Sequence, residues 1–211
     1  MTDGLDHIDA MQIDIFREIG SIGGGNAATS LANILDKQIN MSIPQINIVP
    51  FNDIVNILNG PESLVVGLLV NMSGDLTGSI LLILELEDAY EMASLVLGED
   101  RPLPTDLSAK DLGELDRSAL SEIANILVGS YLSAICKMTN LNVVPSVPDL
   151  AIDMVGAISS IVAIEYGKIG DSVLFLKTQF SDVSKSMDGH FFLIPDFNSY
   201  KILLKSLGMD V

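Results

Sequence analysis

The sequence contains no tryptophan, two histidines and one cysteine among its 211 residues. With Cys136 alone, no disulfide can form within the chain, and its position in a helical pattern is typical of a small buried side chain. His7 and His190 have no partner at a metal-ligand spacing. No nucleophile elbow of the hydrolase type is present either. These scarcities argue against a zinc enzyme and a thiol enzyme.

Positive charge is also scarce. The chain has 11 Lys and Arg against 28 Asp and Glu, a formal net charge of −17. Such a surface repels nucleic-acid phosphates and anionic lipid, so we expect neither nucleic acid nor a membrane as a partner. No apolar run approaches the ~20 residues that span a bilayer, and the N-terminal "MTDGLDHIDA" does not have the pattern of a signal peptide. We therefore expect a cytoplasmic protein.

The chain contains an internal repeat. "REIGSIGGG" at 17–25 aligns with "SEIANILVG" at 121–129, and the same offset of 104 carries "SIP" at 42–44 onto "SVP" at 146–148. The aligned pairs in the first match include Glu18 with Glu122, Ser21 with Asn125, and Gly25 with Gly129. The recurrence at one offset predicts two related halves.

A second match, between 86–98 and 195–208, has an offset of 110, which predicts an insertion near 180–189. We interpret residues 1–211 as one domain. The first repeat covers about 8–98, a linker about 99–110, and the second repeat about 111–208. Pro102 and Pro104 mark the linker.

Each half has the same predicted order of elements, which is a long helix, a strand, a short helix, a hairpin and a final helix. The predicted segments are 8–36, 45–50, 53–60, 64–72, 78–86 and 88–98 in the first half, and 108–138, 149–154, 155–162, 172–180, 189–195 and 197–207 in the second. Hairpins flanked by helices predict an α+β fold. We expect one sheet of about six strands, with the two halves related by a pseudo-twofold axis and a long helix from each.

The candidate chemistry lies on these two long helices. Glu122 and Asn125, at i and i+3, share one helical face, and Glu18 and Ser21 share the equivalent face. A glycine seven residues after each glutamate leaves the surface open to a partner's backbone. Polar pairs on an exposed helical face are common, and the pair could instead cap or pack something in both copies. Its recurrence favours a function.

The glycine run at 23–25 belongs to "GGGNAA", which formally matches a dinucleotide fingerprint. The segment before it is helical in period rather than a strand, so that interpretation fails. A helix of small residues can instead pack closely against a neighbouring element.

The chain resembles the CheC branch of the CheC/CheX/FliY chemotaxis phosphatases. The resemblance rests on the segments "DIFREIGSIGGGNAATSLANIL", "SIPQINIVPF", "SALSEIANILVGSYLSAI" and "VPDLAIDMVGAI". It extends over essentially the whole chain. The length argues against FliY, which carries an additional flagellar-switch domain, and the doubled motif points away from CheX, which resembles a single-site relative.

The resemblance implies a phosphatase of the phosphorylated response regulator CheY. Glu122 would pair with a regulator lysine, and Asn125 would orient the attacking water. The chain would need no cofactor of its own, because the Mg²⁺ belongs to the regulator. A primary amide suits this role, since it offers one acceptor and two donors. Phosphoryl transfer depends mainly on such positioning.

The first copy departs from the family pattern, because Ser21 occupies the place of the asparagine. We expect Glu18 and Ser21 to form a weak or silent site. The family also implies the receptor deamidase CheD as a partner, with Asp153 as its candidate contact, although Asp153 could equally cap a helix near 155. The alternatives are a non-catalytic adaptor that binds CheY-phosphate or CheD and a flagellar-switch component.

Overall fold

The computed structural model describes residues 10–36, 38–50, 53–166, 172–181 and 186–208. Six α-helices and seven strands are found in these ranges. The helices are α1 (Ala10–Leu35), α2 (Ile54–Ile57), α3 (Leu86–Leu97), α4 (Glu114–Thr139), α5 (Val155–Tyr166) and α6 (Phe197–Ser206). The strands are β1 (Asn40–Pro50), β2 (Leu64–Gly74), β3 (Gly78–Glu85), β4 (Val143–Pro145), β5 (Asp149–Met154), β6 (Ser172–Ser181) and β7 (Ser186–Pro195).

All seven strands form one antiparallel sheet in the order β1-β6-β7-β3-β2-β4, with β5 also paired to β2. The hairpins β2–β3 and β6–β7 form the middle, and they meet where β3 pairs with β7. The first strand of each half crosses to the hairpin of the other half, so that β1 pairs with β6 and β5 pairs with β2. The predicted α+β fold with two halves sharing one sheet is confirmed.

The sheet has seven strands rather than about six because one edge strand is interrupted. Between β4 and β5, at 146–148, the chain leaves the ladder, and Ser146 exchanges bonds with Asn71 through its backbone N–H and its hydroxyl oxygen. Strand β1 has a register shift at the equivalent place, between Ser42 and Gln45. Each of these segments contains a proline, which has no N–H for the ladder.

Several predicted boundaries were wrong. Strand β1 begins at Asn40, five residues earlier than expected. The expected helix 108–138 is divided, because a 3-10 turn at Ala109–Asp111 precedes α4. Most of the inserted residues lie before β6 rather than near 180–189, since α5 has 12 residues where α2 has 4. Residues 182–185 of the predicted insertion lie outside the described part of the chain.

The sheet is covered on both faces. Helices α1, α3, α4 and α6 contribute to the larger core, whose members include Phe16, Leu120 and Tyr200. Helices α2 and α5 cover the other face through Ile54 and Val155. Because each face carries its own layer of helices, the central strands are almost wholly apolar, as in β3, where six consecutive residues are buried.

Arg101 fixes the linker between the halves. Its guanidinium lies 4.7 Å from the centroid of the Tyr90 ring in α3 and donates to the Ser94 hydroxyl at 3.1 Å. It also donates to the Asp116 carboxylate of α4 at 2.5 Å. A single side chain therefore attaches the linker to the last helix of one half and the first helix of the other.

Helix α4 is long and apolar enough to cross a membrane by length and composition. More than half of its most apolar window is buried inside the protein. Its buried side chains, such as Leu120 and Leu127, belong to the larger core. Burial of this kind is typical of the core helix of a globular fold.

Candidate functional site on α1 and α4

Helices α1 and α4 cross at a point of close approach. A Cβ on Gly23 would lie 2.7 Å from Cδ1 and 3.0 Å from Cα of Tyr131, so only glycine fits there. The Tyr131 hydroxyl lies 3.3 Å from the Thr178 hydroxyl of β6, which joins α4 to the sheet. The expectation that small residues permit close packing is thus confirmed for Gly23.

The two helices run antiparallel. Ile19 lines a small cavity together with Ile135, while Leu31, farther along α1, lines another with Ile123 near the start of α4. Because Gly23 meets Tyr131 and the helices are antiparallel, Gly25, two residues after Gly23, comes level with Gly129, two residues before Tyr131. The centre of the crossing therefore carries one glycine from each half.

All four motif side chains lie on the outer surface. Glu18, Ser21, Glu122 and Asn125 are exposed. Within the described ranges, none of them takes part in a hydrogen bond or an ion pair. A Cβ on Gly25 or Gly129 would meet nothing within 4 Å. The acid, the amide and the glycine thus form an open strip that no other described part of the chain covers.

The geometry separates the two motifs into two sites. Each glutamate precedes its central glycine by seven residues, which is about 10 Å at 1.5 Å per residue. Since the helices are antiparallel, Glu18 and Glu122 lie on opposite sides of the crossing, roughly 20 Å apart along the helices. The structure therefore brings Glu18 next to Ser21 and Glu122 next to Asn125, and keeps these pairs apart.

Helix α4 is held firmly at both ends. At its N-terminus the Asp116 carboxylate accepts from the Gly113 N–H at 2.8 Å and from Arg101. Burial raises the pKa of this carboxyl, but the bonds from Arg101 and Gly113 outweigh burial and leave the pKa below its usual range. At the C-terminus, Asn140 adopts a left-handed conformation and its N–H donates to the Cys136 carbonyl.

The charges beside the two motifs differ. On α1, Arg17 forms an ion pair with Asp14 next to Glu18. The equivalent positions on α4 are Ser118 and Ser121, so Glu122 has neutral neighbours there. A cation approaching Glu122 thus meets no competing arginine from these positions.

Asp153 lies elsewhere, on the edge strand β5 opposite Val65 of β2. Its side chain is exposed and accepts from the Met154 N–H at 2.7 Å. The first N–H groups of α5, from Val155 and Gly156, donate instead to the carbonyls of Ser63 and Pro61 in the loop before β2. Asp153 therefore does not cap those groups, and its role toward a partner stays a prediction.

Exposed apolar side chains line this edge of the sheet and the neighbouring helix. They are Met154 next to Asp153, Ile161 and Ile164 of α5, and Val144 and Val147 farther along the edge, on or beside β4. A cavity of about 190 Å³ opens between β5 and α5 and includes Gly67 and Ile158 in its lining. This surface was not predicted from the sequence, because the hydrophobicity of α5 is equally typical of a buried helix.

The strongly shifted pKa values among carboxyl and imidazole groups belong to other residues. Burial, with the nearby charges of Asp188, Glu85 and Glu91, raises the pKa of Asp88 to about 7. Burial and the charge of Lys177 lower the pKa of His190 to about 4.

Within the described ranges, no group of three or more potential ligands could hold a metal ion.

Comparison with known proteins gives a consistent result. The CheC-like family model matches residues 11–48 and 115–152, the two segments that carry the motifs. The CheY-P phosphatase CheC of Bacillus subtilis is 35% identical over 95% of both chains. The flagellar motor switch phosphatase FliY of the same organism is 32% identical over 60% of this chain and 32% of its own length.

Solved structures match the fold at lower identity. Thermotoga maritima FliY has a TM-score of 0.76 at 18% identity, covering 95% of this chain and 98% of that one. The FliM–SpeE complex from H. pylori contains a match with a TM-score of 0.71 at 12% identity, covering 96% and 97%. These structures show the fold, and the relative that is 35% identical over nearly the whole chain shows the class, a chemotaxis protein phosphatase.

Within that class, the chain belongs to the CheC-like family, as the sequence predicted. It is a protein phosphatase, and so a hydrolase, by its similarity to the B. subtilis protein over nearly its whole length.

Proposed function

We propose that this protein hydrolyses the aspartyl phosphate of the response regulator CheY in the cytoplasm, using the Glu122–Asn125 site on α4. The observation that carries the proposal is the exposure of both side chains on one face of a rigid helix, with no partner among the described residues. Such an arrangement can enter a shallow pocket on another protein. The name of the B. subtilis relative supports the choice of substrate.

Asn125 orients the water for in-line attack on phosphorus. Its carbonyl oxygen accepts from the water, and its N–H₂ group donates to a phosphoryl oxygen. Glu122, one helical turn earlier, pairs with a lysine of the regulator and fixes the position of the amide. Catalysis of this kind depends on positioning and charge stabilisation rather than on a covalent intermediate. The chain contributes no metal, since the regulator supplies the Mg²⁺.

The Glu18–Ser21 site is weak or silent in this proposal. A serine hydroxyl is shorter than the asparagine side chain and carries a single donor. It can bind a water but cannot also reach the phosphoryl oxygen from the same helix position. The Arg17–Asp14 ion pair also lies beside Glu18, so a regulator lysine that approaches Glu18 meets a charged arginine there.

Three variants test the assignment by release of phosphate from excess phosphorylated regulator. Asn125→Ala should lower the rate constant at least a hundredfold, because the water loses its orienting group. Ser21→Ala should change it less than twofold, and Ser21→Asn should raise it toward a doubling. Equal losses from Asn125→Ala and Ser21→Ala would contradict the asymmetry. Full activity of Asn125→Ala would refute the site.

A second function is favoured by the apolar surface beside Asp153. We propose that CheD docks on this edge of the sheet, where β2 is the one strand that pairs with β5 among the described residues and where Met154 and Ile161 are exposed. Replacing Asp153 with Lys should weaken CheD binding, measured by calorimetry, and leave phosphate release unchanged. Unchanged CheD affinity would refute the contact.

A non-catalytic adaptor, the alternative to a phosphatase, would bind the regulator but release no more than one equivalent of phosphate.

A further inference from the structure

Two of the most exposed hydrophobic side chains occupy equivalent places in the two halves. Leu115 is 71% exposed and Met11 is 70% exposed. They are 104 residues apart, the same offset that relates the two glutamates. Single exposed hydrophobic residues need no explanation. The same exposure at the same repeat position indicates a common cause in both halves.

Both side chains lie on the motif strip. Leu115 precedes Glu122 by seven residues, and Met11 precedes Glu18 by seven. Seven residues make almost two full turns, so each pair shares a helical face. The strip on α4 thus runs from Leu115 past Glu122 and Asn125 to Gly129, with the leucine about 10 Å from the acid.

Packing among the described residues does not account for Leu115. It is the second residue of α4, and the neighbouring Leu112 and Asp116 are buried while Leu115 is exposed. The larger core contains Leu112 but neither Leu115 nor Met11. A leucine in water gains nothing from exposure, whereas burial of its side chain against a partner is favourable.

We propose that Leu115 is an apolar docking contact for the regulator at the α4 site, an inference that rests on the proposed function. The surface is continuous with Glu122 and Asn125, so one partner covers all three. That partner must present an apolar patch about 10 Å from the cation that meets Glu122. Contacts of this kind contribute most of the affinity, while Glu122 orients the partner on the helix and Asn125 takes part in the chemistry.

The contact is a binding contact, not a catalytic one, and its kinetic signature follows. A group that holds the ground state and the transition state equally raises KM when removed and leaves kcat unchanged. Loss of a buried leucine contact should weaken binding about tenfold. Met11 holds the equivalent place beside a site that lacks the amide, so its replacement should have little effect on turnover.

The experiment measures the affinity of the regulator, activated with beryllofluoride and Mg²⁺, for four proteins by calorimetry. These are the wild type, Leu115→Gln, Leu115→Met and Leu103→Gln, the last replacing a leucine that is 41% exposed in the linker. Leu115→Gln should bind about tenfold more weakly and show a raised KM with unchanged kcat, while Leu115→Met and Leu103→Gln should match the wild type. Thermal unfolding should be alike in all four, since none of the replaced side chains is buried.

Equal affinity of Leu115→Gln and the wild type would overturn the inference. So would an equal loss in Leu103→Gln, which would indicate a general effect of surface leucines. If the wild type binds the regulator without hydrolysing its phosphate, the phosphatase proposal fails, and the Leu115 comparison by affinity still decides the inference. If the wild type does not bind, both proposals fail.

Discussion

The glycines of α1 and α4 allow one prediction to be worked out in detail. Gly129→Ala places a methyl group on the open surface of α4, where a Cβ meets nothing within 4 Å. Alanine is better than glycine inside a helix by about 1 kcal/mol, so the variant should be more stable by that amount. For a chain of this size, the melting temperature should rise by about 2–4 °C. The same holds for Gly25→Ala.

Function should separate these two variants. The methyl group on Gly129 stands four residues from Asn125, about 6 Å along the helix, on the surface that a regulator would cover. Gly129→Ala should therefore lower kcat/KM several-fold despite its greater stability. Gly25→Ala is the matched control, since it makes the same change beside the site without the amide. It should leave kcat/KM unchanged.

Gly23→Ala is the opposite case. Its methyl group would lie 3.0 Å from the Tyr131 Cα, which belongs to the backbone and cannot rotate away. Overpacking of this kind costs about 1–3 kcal/mol, which offsets or exceeds the gain in helix propensity. The assay is calorimetric melting of all three variants alongside steady-state phosphate release. Stabilisation by Gly23→Ala, or loss of stability in both other variants, would refute the reasoning.

Three further predictions concern stability and pH. Arg101→Gln should lower the free energy of unfolding by about 2 kcal/mol at pH 7, because the buried Asp116 carboxylate loses its ionised partner. The pKa of Asp116 is lowered in the folded state, so the difference in stability between variant and wild type should shrink below about pH 4. Denaturant titrations at several pH values measure this difference. The pKa of His190 is about 4 in the folded state and about 6.5 in the unfolded state, so the free energy of unfolding should fall by about 3 kcal/mol from pH 7 to pH 4. His190→Leu should remove that loss. The same pH profile of stability in the variant and the wild type would contradict this prediction. Gly78→Ala should lower the free energy of unfolding by about 3 kcal/mol, since φ is +132° and a Cβ would lie 2.3 Å from the Ile194 carbonyl oxygen. A variant that is as stable as the wild type in denaturant titration would refute this prediction.

Local patterns predicted the elements well where each segment carries its own signal. The hairpin of β2 and β3 follows from two apolar runs separated by a turn with glycines at 74 and 78. The two long helices follow from their period and from the repeat. The motif residues were also found correctly as an exposed face, because spacing along a helix determines which side chains share a surface.

Long-range features could not be predicted in the same way. The exchange of first strands between the halves depends on pairings far apart in sequence, such as Ile46 with Leu176, and period alone carries no information on partners. The division of the edge strand at 146–148 depends on a proline whose effect on an edge is visible only once the edge is known. The exposure of Leu115 was missed because a leucine in an amphipathic helix is normally assigned to the core.

The exchange of β1 and β5 between the halves has a consequence for the chain as a whole. Neither half can complete its share of the sheet alone, since each hairpin would lose its outermost neighbour and expose an edge that readily recruits another chain. A fragment that contains a single half should therefore associate with a second copy by the same swap. Helix α1, which carries Ser21, is therefore required even if it does no chemistry, because α4 packs against it.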